Sequence, residues 1–190
     1  MFGTITDRLI ATIISIGSLF FPFIDGIEPV FNDVRISIIE NTLVLSMHLE
    51  NCYTEELDKI LMSGQVVTLR FQAELYDRIQ TQPILTRQFY QTLRYNPLEK
   101  QYWLYSSEKD NSDTFSTLQQ VHRNFITLNN IYLLRAGDLE KGKNYFIRLT
   151  AYLDPITFIS QKSNLDLMLY WNNKKPIVNT ESFNLSIFYH

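Results

Sequence analysis

A chain of 190 residues, 45% hydrophobic and 19% charged, has the length of one ordinary domain; it is too apolar to stay unfolded and, beyond its first stretch, too polar for a multi-span membrane protein. Its formal charge of −3 leaves no basic stripe able to displace counterions from phosphates, so nucleic acid is not an expected partner. Cys52 is the only cysteine, which excludes an intramolecular disulfide, and an aromatic content of 14% suits half-buried pleated strands.

Leu9 to Ile24 reads LIATIISIGSLFFPFI, an apolar run without charges whose polar residues are Thr12, Ser15 and Ser18, preceded by Arg8 and the free amine and followed by Asp25 and Glu28. That charge order keeps the start of the chain in the cytoplasm and sends the rest outward. As a helix the run would span roughly 24 Å against a hydrocarbon core of about 30 Å. Residues 1–26 are therefore expected to be a signal peptide or an N-terminal membrane anchor through residues 9–24. Residues 27–190 are expected to form a single β-rich domain in the periplasm or on the periplasmic face of the inner membrane.

Within that domain, FNDVRISII and TLVLSMHLE flank Glu40-Asn41 and predict a hairpin. Thr54 as a hydroxyl cap, with Glu55 and Glu56 in the first turn and Leu57, Ile60 and Leu61 at helical spacing, predicts a helix that Gly64 ends. QVVTLRFQAELYDRI is the clearest period-two segment: Val67, Leu69, Phe71, Ala73 and Leu75 alternate with Thr68, Arg70, Gln72, Glu74 and Tyr76. A further strand is expected over Arg87–Tyr95, turning at Asn96-Pro97 into Gln101–Ser106. Glu108–Ser112 is wholly polar and is expected to be a loop. Asp113 or Ser112 would cap a second helix striped by Phe115, Leu118, Val121 and Phe125. Ile131–Arg135, Tyr145–Leu153, Leu165–Trp171 and Phe183–Tyr189 complete about nine expected strands. The expected fold is mainly β: an antiparallel β-sandwich or curled sheet, immunoglobulin-like in general layout, with two short helices.

Five segments in this order resemble an uncharacterised family of exported bacterial proteins, domain-of-unknown-function family 4390, from about Val30 to Trp171. The most specific is Leu93-Arg94-Tyr95-Asn96-Pro97-Leu98-Glu99-Lys100-Gln101-Tyr102, which resembles the family's hairpin signature. Phe31-Asn32-Asp33-Val34, the Glu56–Phe71 unit with Gly64 at its joint, Phe115-Ser116-Thr117-Leu118, and Leu139–Leu153 with Gly142, Tyr145 and Arg148 are similar as well. The chain departs from the pattern at QTQPIL between two strands and at Asp154-Pro155-Ile156-Thr157. The resemblance implies a signal segment and a periplasmic or membrane-facing domain, and it implies no catalytic residues.

Motifs for chemistry are sparse. There is no G-x-S-x-G nucleophile elbow and no glycine-rich phosphate loop. His48 and Cys52 stand four apart, but His48 falls in an expected strand and no second cluster completes a zinc site. Glu55, Glu56 and Asp58, and likewise Glu108, Asp110 and Asp113, read as acidic helix starts and not as acid–base pairs. Tyr90, Tyr95, Tyr102, Trp103 and Tyr105 either line an interaction or ligand groove or pair across strands over the core. No enzyme activity, cofactor or metal is expected. The expected role is a non-catalytic cell-envelope adaptor or scaffold that binds another envelope or inner-membrane protein, such as a sensor kinase, secretion or flagellar-motor component. Two alternatives are a carrier with an apolar pocket for a lipid or small ligand, placed between the sheet and the 114–127 helix, and a hydrolase of unrecognised motif.

Overall fold

A computed structural model describes residues 26–158 and 163–188. The apolar run at 9–24, and with it the expected signal peptide or anchor, lies outside the described residues, among which no helix is long and apolar enough to cross a membrane.

Strands β1 (Val30–Ile39) and β2 (Thr42–Glu50) form the expected hairpin, and its turn residues Glu40 and Asn41 take φ of 49° and 63°. Paired positive φ values match the right-handed twist of the flanking strands, and asparagine tolerates them. Helix α1 (Glu55–Met62) follows, with Thr54 Oγ1 accepting from the Leu57 amide at 3.2 Å and Leu57, Ile60 and Leu61 buried. Gly64, at φ 85°, lets the chain leave the helix in a left-handed conformation that a Cβ would strain. The chain then builds β3 (Val66–Asp77), β4 (Leu85–Asn96), β5 (Gln101–Ser106) and β6 (Asn111–Phe115) as a meander.

Helix α2 (Leu118–Phe125) carries the chain back to β7 (Thr127–Arg135), after which β8 (Tyr145–Leu153), β9 (Ile156–Phe158), β10 (Ser163–Leu165) and β11 (Ile177–Asn179) follow. A six-stranded antiparallel sheet runs β11-β8-β3-β4-β5-β6, a three-stranded sheet runs β1-β2-β7, and β9 and β10 pair apart from both. The inward faces of the two larger sheets belong to one buried cluster that joins Leu43, Leu45 and Met47 to Leu69, Phe71 and Leu149. Each such side chain contributes about 1.5–3 kcal/mol on burial, so this shared core is what holds the two layers together. The layout is the mainly β, sandwich-like one expected, with open sheets and two short helices.

Several elements differ from expectation. Asn111 and Ser112, expected in a loop, belong to β6, because the free edge of β5 offers hydrogen bonds to any backbone and a solvent-facing edge tolerates polar side chains. Consequently α2 is capped by Thr117 and not by Asp113 or Ser112: the Thr117 hydroxyl accepts from the Gln120 amide at 3.3 Å, and Phe115 is a strand residue. The expected strand at Leu165–Trp171 is mostly a short 3-10 helix, Leu167–Trp171, started by Asp166 accepting from the Met168 amide and ended by Asn172 at φ 52°. From Phe183–Tyr189 only Phe183 bridges to Tyr145; Leu185–Phe188 is another short 3-10 turn, and Tyr189 lies outside the described residues. The strands β9, β10 and β11 escape sequence reading because each is too short to show a period.

Trp171 secures the C-terminal segment to the core: it has 0% exposure, and its indole N–H donates to the Cys52 carbonyl at 3.0 Å. Trp171→Ala should cost about 3–5 kcal/mol in urea unfolding through loss of packing. Trp171→Phe should cost about 1–3 kcal/mol, since it strands that buried carbonyl while keeping most of the apolar contact.

Candidate interaction face and cavity

The alternation in β3 sorts the six-stranded sheet into two chemically distinct faces. Val67, Leu69, Phe71, Ala73 and Leu75 are all buried, whereas Thr68, Arg70, Gln72 and Glu74 point to the opposite side and are half-buried by one another. The same parity continues across register partners, so Tyr152 on β8, Arg70 on β3 and Tyr90 on β4 share one row of that outer face.

Cations there lie against aromatic rings. Arg70 sits 5.1 Å from the Tyr90 ring centroid, Arg148 5.0 Å from Tyr76, and Lys175 4.6 Å from Tyr152. Arg70 also donates to both carboxylate oxygens of Asp154 at 2.7 Å, a bond that raises its already high pKa. Guanidinium groups held in this way by a carboxylate and a ring keep a fixed orientation while remaining partly open to solvent.

The five aromatic residues singled out from the sequence divide between the two faces. Tyr90, Trp103 and Tyr105 lie on the outer face, where Tyr90 and Tyr105 approach to 5.9 Å between centroids. Tyr105 donates to Asp110 at 3.0 Å, which favours the protonated phenol and pushes its pKa up. Tyr95 and Tyr102 pair at 4.8 Å on the inner face, and Tyr102 is buried in the core cluster. At the end of the hairpin, Trp103 is 43% exposed and forms one wall of a shallow groove of about 240 Å3 with Arg94, Asn96 and Glu99.

A second feature lies between the layers. Where β4, β5 and β6 diverge from α2 and β7, a cleft of about 420 Å3 opens. It occupies the position expected for an apolar pocket, but polar groups line much of it: Gln91, Ser106 and Asp113 on the sheet side, Arg123, Asn124 and Asn129 opposite. His48 and Thr127 join in one wall, His48 Nδ1 lying 2.8 Å from Thr127 Oγ1. A third hollow, beside Cys52 and Trp171, measures about 10 Å3 and has room for one water at most.

The remaining sequence candidates lie at a helix start, in a turn and on an edge strand. Glu55, Glu56 and Asp58 occupy the first turn of α1. Glu108, Asp110 and Asp113, expected at a helix start, instead lie in the β5–β6 turn and on β6, because α2 begins later. Among the described residues no three His, Cys, Asp or Glu side chains converge as metal ligands would. One cluster is invisible in the sequence: His122 Nε2 lies 2.8 Å from Asp58 Oδ1, and its ring stacks on Tyr53 at 3.6 Å between centroids. It links α2 to α1 and to the loop after β2, residues 64 and 69 positions apart in the chain.

A family described as a domain of unknown function, DUF4390, matches residues 28–157. The match takes in both helices and every strand from β1 to β8, with the β4–β5 hairpin and its groove at its centre. No curated protein matches the chain, and no solved structure matches it either.

Cys52 is buried and donates to the Leu49 carbonyl at 3.6 Å; desolvation pushes its pKa from the ordinary 9.0 to about 12. A thiol whose pKa is raised by folding contributes its full stability below its unfolded pKa, and that contribution is lost as pH rises through the folded value. Denaturant unfolding should therefore show stability falling between pH 9.0 and about 12, with a shallower fall in Cys52→Ala. A thiol reagent at pH 8 should leave the native chain unlabelled and modify it only after unfolding.

Proposed function

The chain belongs to the DUF4390 family of domains of unknown function, and from that premise we propose that it is a non-catalytic cell-envelope adaptor whose open sheet face binds another envelope or inner-membrane protein. The observation that carries the proposal is that face: Tyr90, Trp103, Tyr105 and Tyr152 stand among Arg70, Arg94 and Arg148, with Arg94 and Trp103 exposed and the others partly open to solvent. Tyrosine, tryptophan and arginine are the residues in which binding hot spots are richest, since each offers a large contact area together with a directional polar group.

The dimensions suit a partner protein. Five interstrand spacings of about 4.8 Å and strands averaging about eight residues at roughly 3.3 Å per residue give an area on the order of 600 Å2. A standard protein interface takes about 800 Å2 from each partner. The apolar run at 9–24, read as a signal peptide or anchor, supports placing the domain in the periplasm or on the periplasmic face of the inner membrane. A catalytic role finds less support. Cys52 is held as a neutral thiol, Asp58 is engaged by His122, and Asp154 is engaged by Arg70.

The test is affinity capture of the full chain, tagged at its C-terminus, from crosslinked cells. Arg94→Ala with Trp103→Ala should reduce recovery of the captured partner by about 10-fold or more. Arg94 is exposed and Trp103 is 43% exposed, so stability in thermal unfolding should fall by no more than about 2 kcal/mol, leaving the domain folded. Undiminished capture by the double variant would contradict the proposal.

A further inference from the structure

We infer that the cleft between β4–β5–β6 and α2–β7 is a binding site for a small carboxylate carrying a hydroxyl or amino donor, a site separate from the proposed docking face on the far side of the same sheet. Gln91 is the first reason. It stands on β4 between Phe89 and Leu93, in the phase that faces the core, and is only 5% exposed. Its Oε1 is buried without a hydrogen-bond partner among the described residues, and it lines the cleft. A buried amide oxygen flanked in its strand phase by Phe89 and Leu93 is costly unless something donates to it. A ligand O–H or N–H in the cleft would do so. Ser106, the register partner of Gln91 and also buried, places a hydroxyl beside it on the same floor.

Charge is the second reason. Lys109 and Arg123 both line the cleft, and neither belongs to an ion pair among the described residues. Against them stands one carboxylate of the lining, Asp113, so the lysine, arginine and aspartate of the cleft leave an excess of one positive charge. The position of Arg123 in the last turn of α2 suits the helix dipole and would alone explain it. It explains neither Lys109, in the β5–β6 turn, nor the unpaired Gln91. An anionic group at the mouth with a donor reaching the floor satisfies all three. Such a ligand is a small hydroxy or amino carboxylate, of which lactate and alanine are the simplest, and about 420 Å3 lies within the range of small-molecule sites.

Isothermal titration of the full chain with lactate and with alanine tests this, using propanoate, which lacks the donor, and ethanol, which lacks the carboxylate, as controls. Saturable binding of lactate or alanine is expected, with propanoate and ethanol each weaker by about 10-fold or more. Arg123→Gln, on the surface, and Gln91→Leu should each reduce that affinity by about 10-fold or more with the circular dichroism spectrum retained. Absence of saturable heat from both lactate and alanine would overturn the inference, as would propanoate binding as tightly as lactate, or a crystal grown in saturating lactate with only water in the cleft. Capture of the partner through the Arg94 and Trp103 groove is read separately, so either site can fail without the other.

Discussion

Strand β3 is the constraint on which the rest of this structure depends. It pairs with β4 over ten register positions and with β8 over nine, without a bulge in either ladder. Because side chains alternate with a period of two, a slip of one residue would carry Leu69 and Phe71 to solvent and Arg70 and Glu74 into the core. The loss of several buried apolar side chains, at about 1.5–3 kcal/mol each, forbids that slip. One strand thereby fixes which side of six strands is buried, and leaves the other side open with its arginines and aromatic rings.

Beyond the shared core, the connections also tie the second layer to that sheet. α1 leads from β2 into β3, and α2 leads from β6 into β7, so each helix follows a crossing between layers. The contact of His122 with Asp58, stacked on Tyr53, joins the two crossings. Arg87 on β4 adds a link across the layers, lying 5.2 Å from the Tyr132 ring centroid on β7. Sheet edges are managed in different ways. β1 is broken by a register shift between Asn32 and Arg35, where Asp33 takes φ 50°. β8 is covered by β11 and by the Phe183 bridge, while β6 presents the polar sequence NSDTF.

Strong local patterns made much of this fold legible. The alternation of β3, the Thr54 cap and the Asn96-Pro97 turn each combine a residue type with a spacing that few structures satisfy. β6 was not legible, because its pairing depends on the backbone edge of β5 and not on any side chain of its own. The aromatic set was legible as residues, and its division between two faces follows from strand parity. Tyr90 and Tyr95 are five apart on one strand, and Tyr102 and Trp103 are adjacent on another, so parity already separates them onto opposite faces. The cleft left one trace in the sequence: Gln91 occupies the apolar phase of β4, where a polar residue asks for a partner. His122 and Asp58 left none, since only tertiary packing brings them together.

The outer face of the six-stranded sheet is the surface proposed to meet a partner protein. Site-specific photocrosslinking in intact cells tests this most directly, with a photoreactive residue placed in turn at Thr92, Tyr105 and Tyr152 on that face and at Ser37, Ser46 and Tyr132 on the three-stranded sheet. Adducts of one common mass are expected from the first set and none of that mass from the second. Adducts confined to the second set, or no adduct from Thr92, Tyr105 and Tyr152, would contradict the proposal.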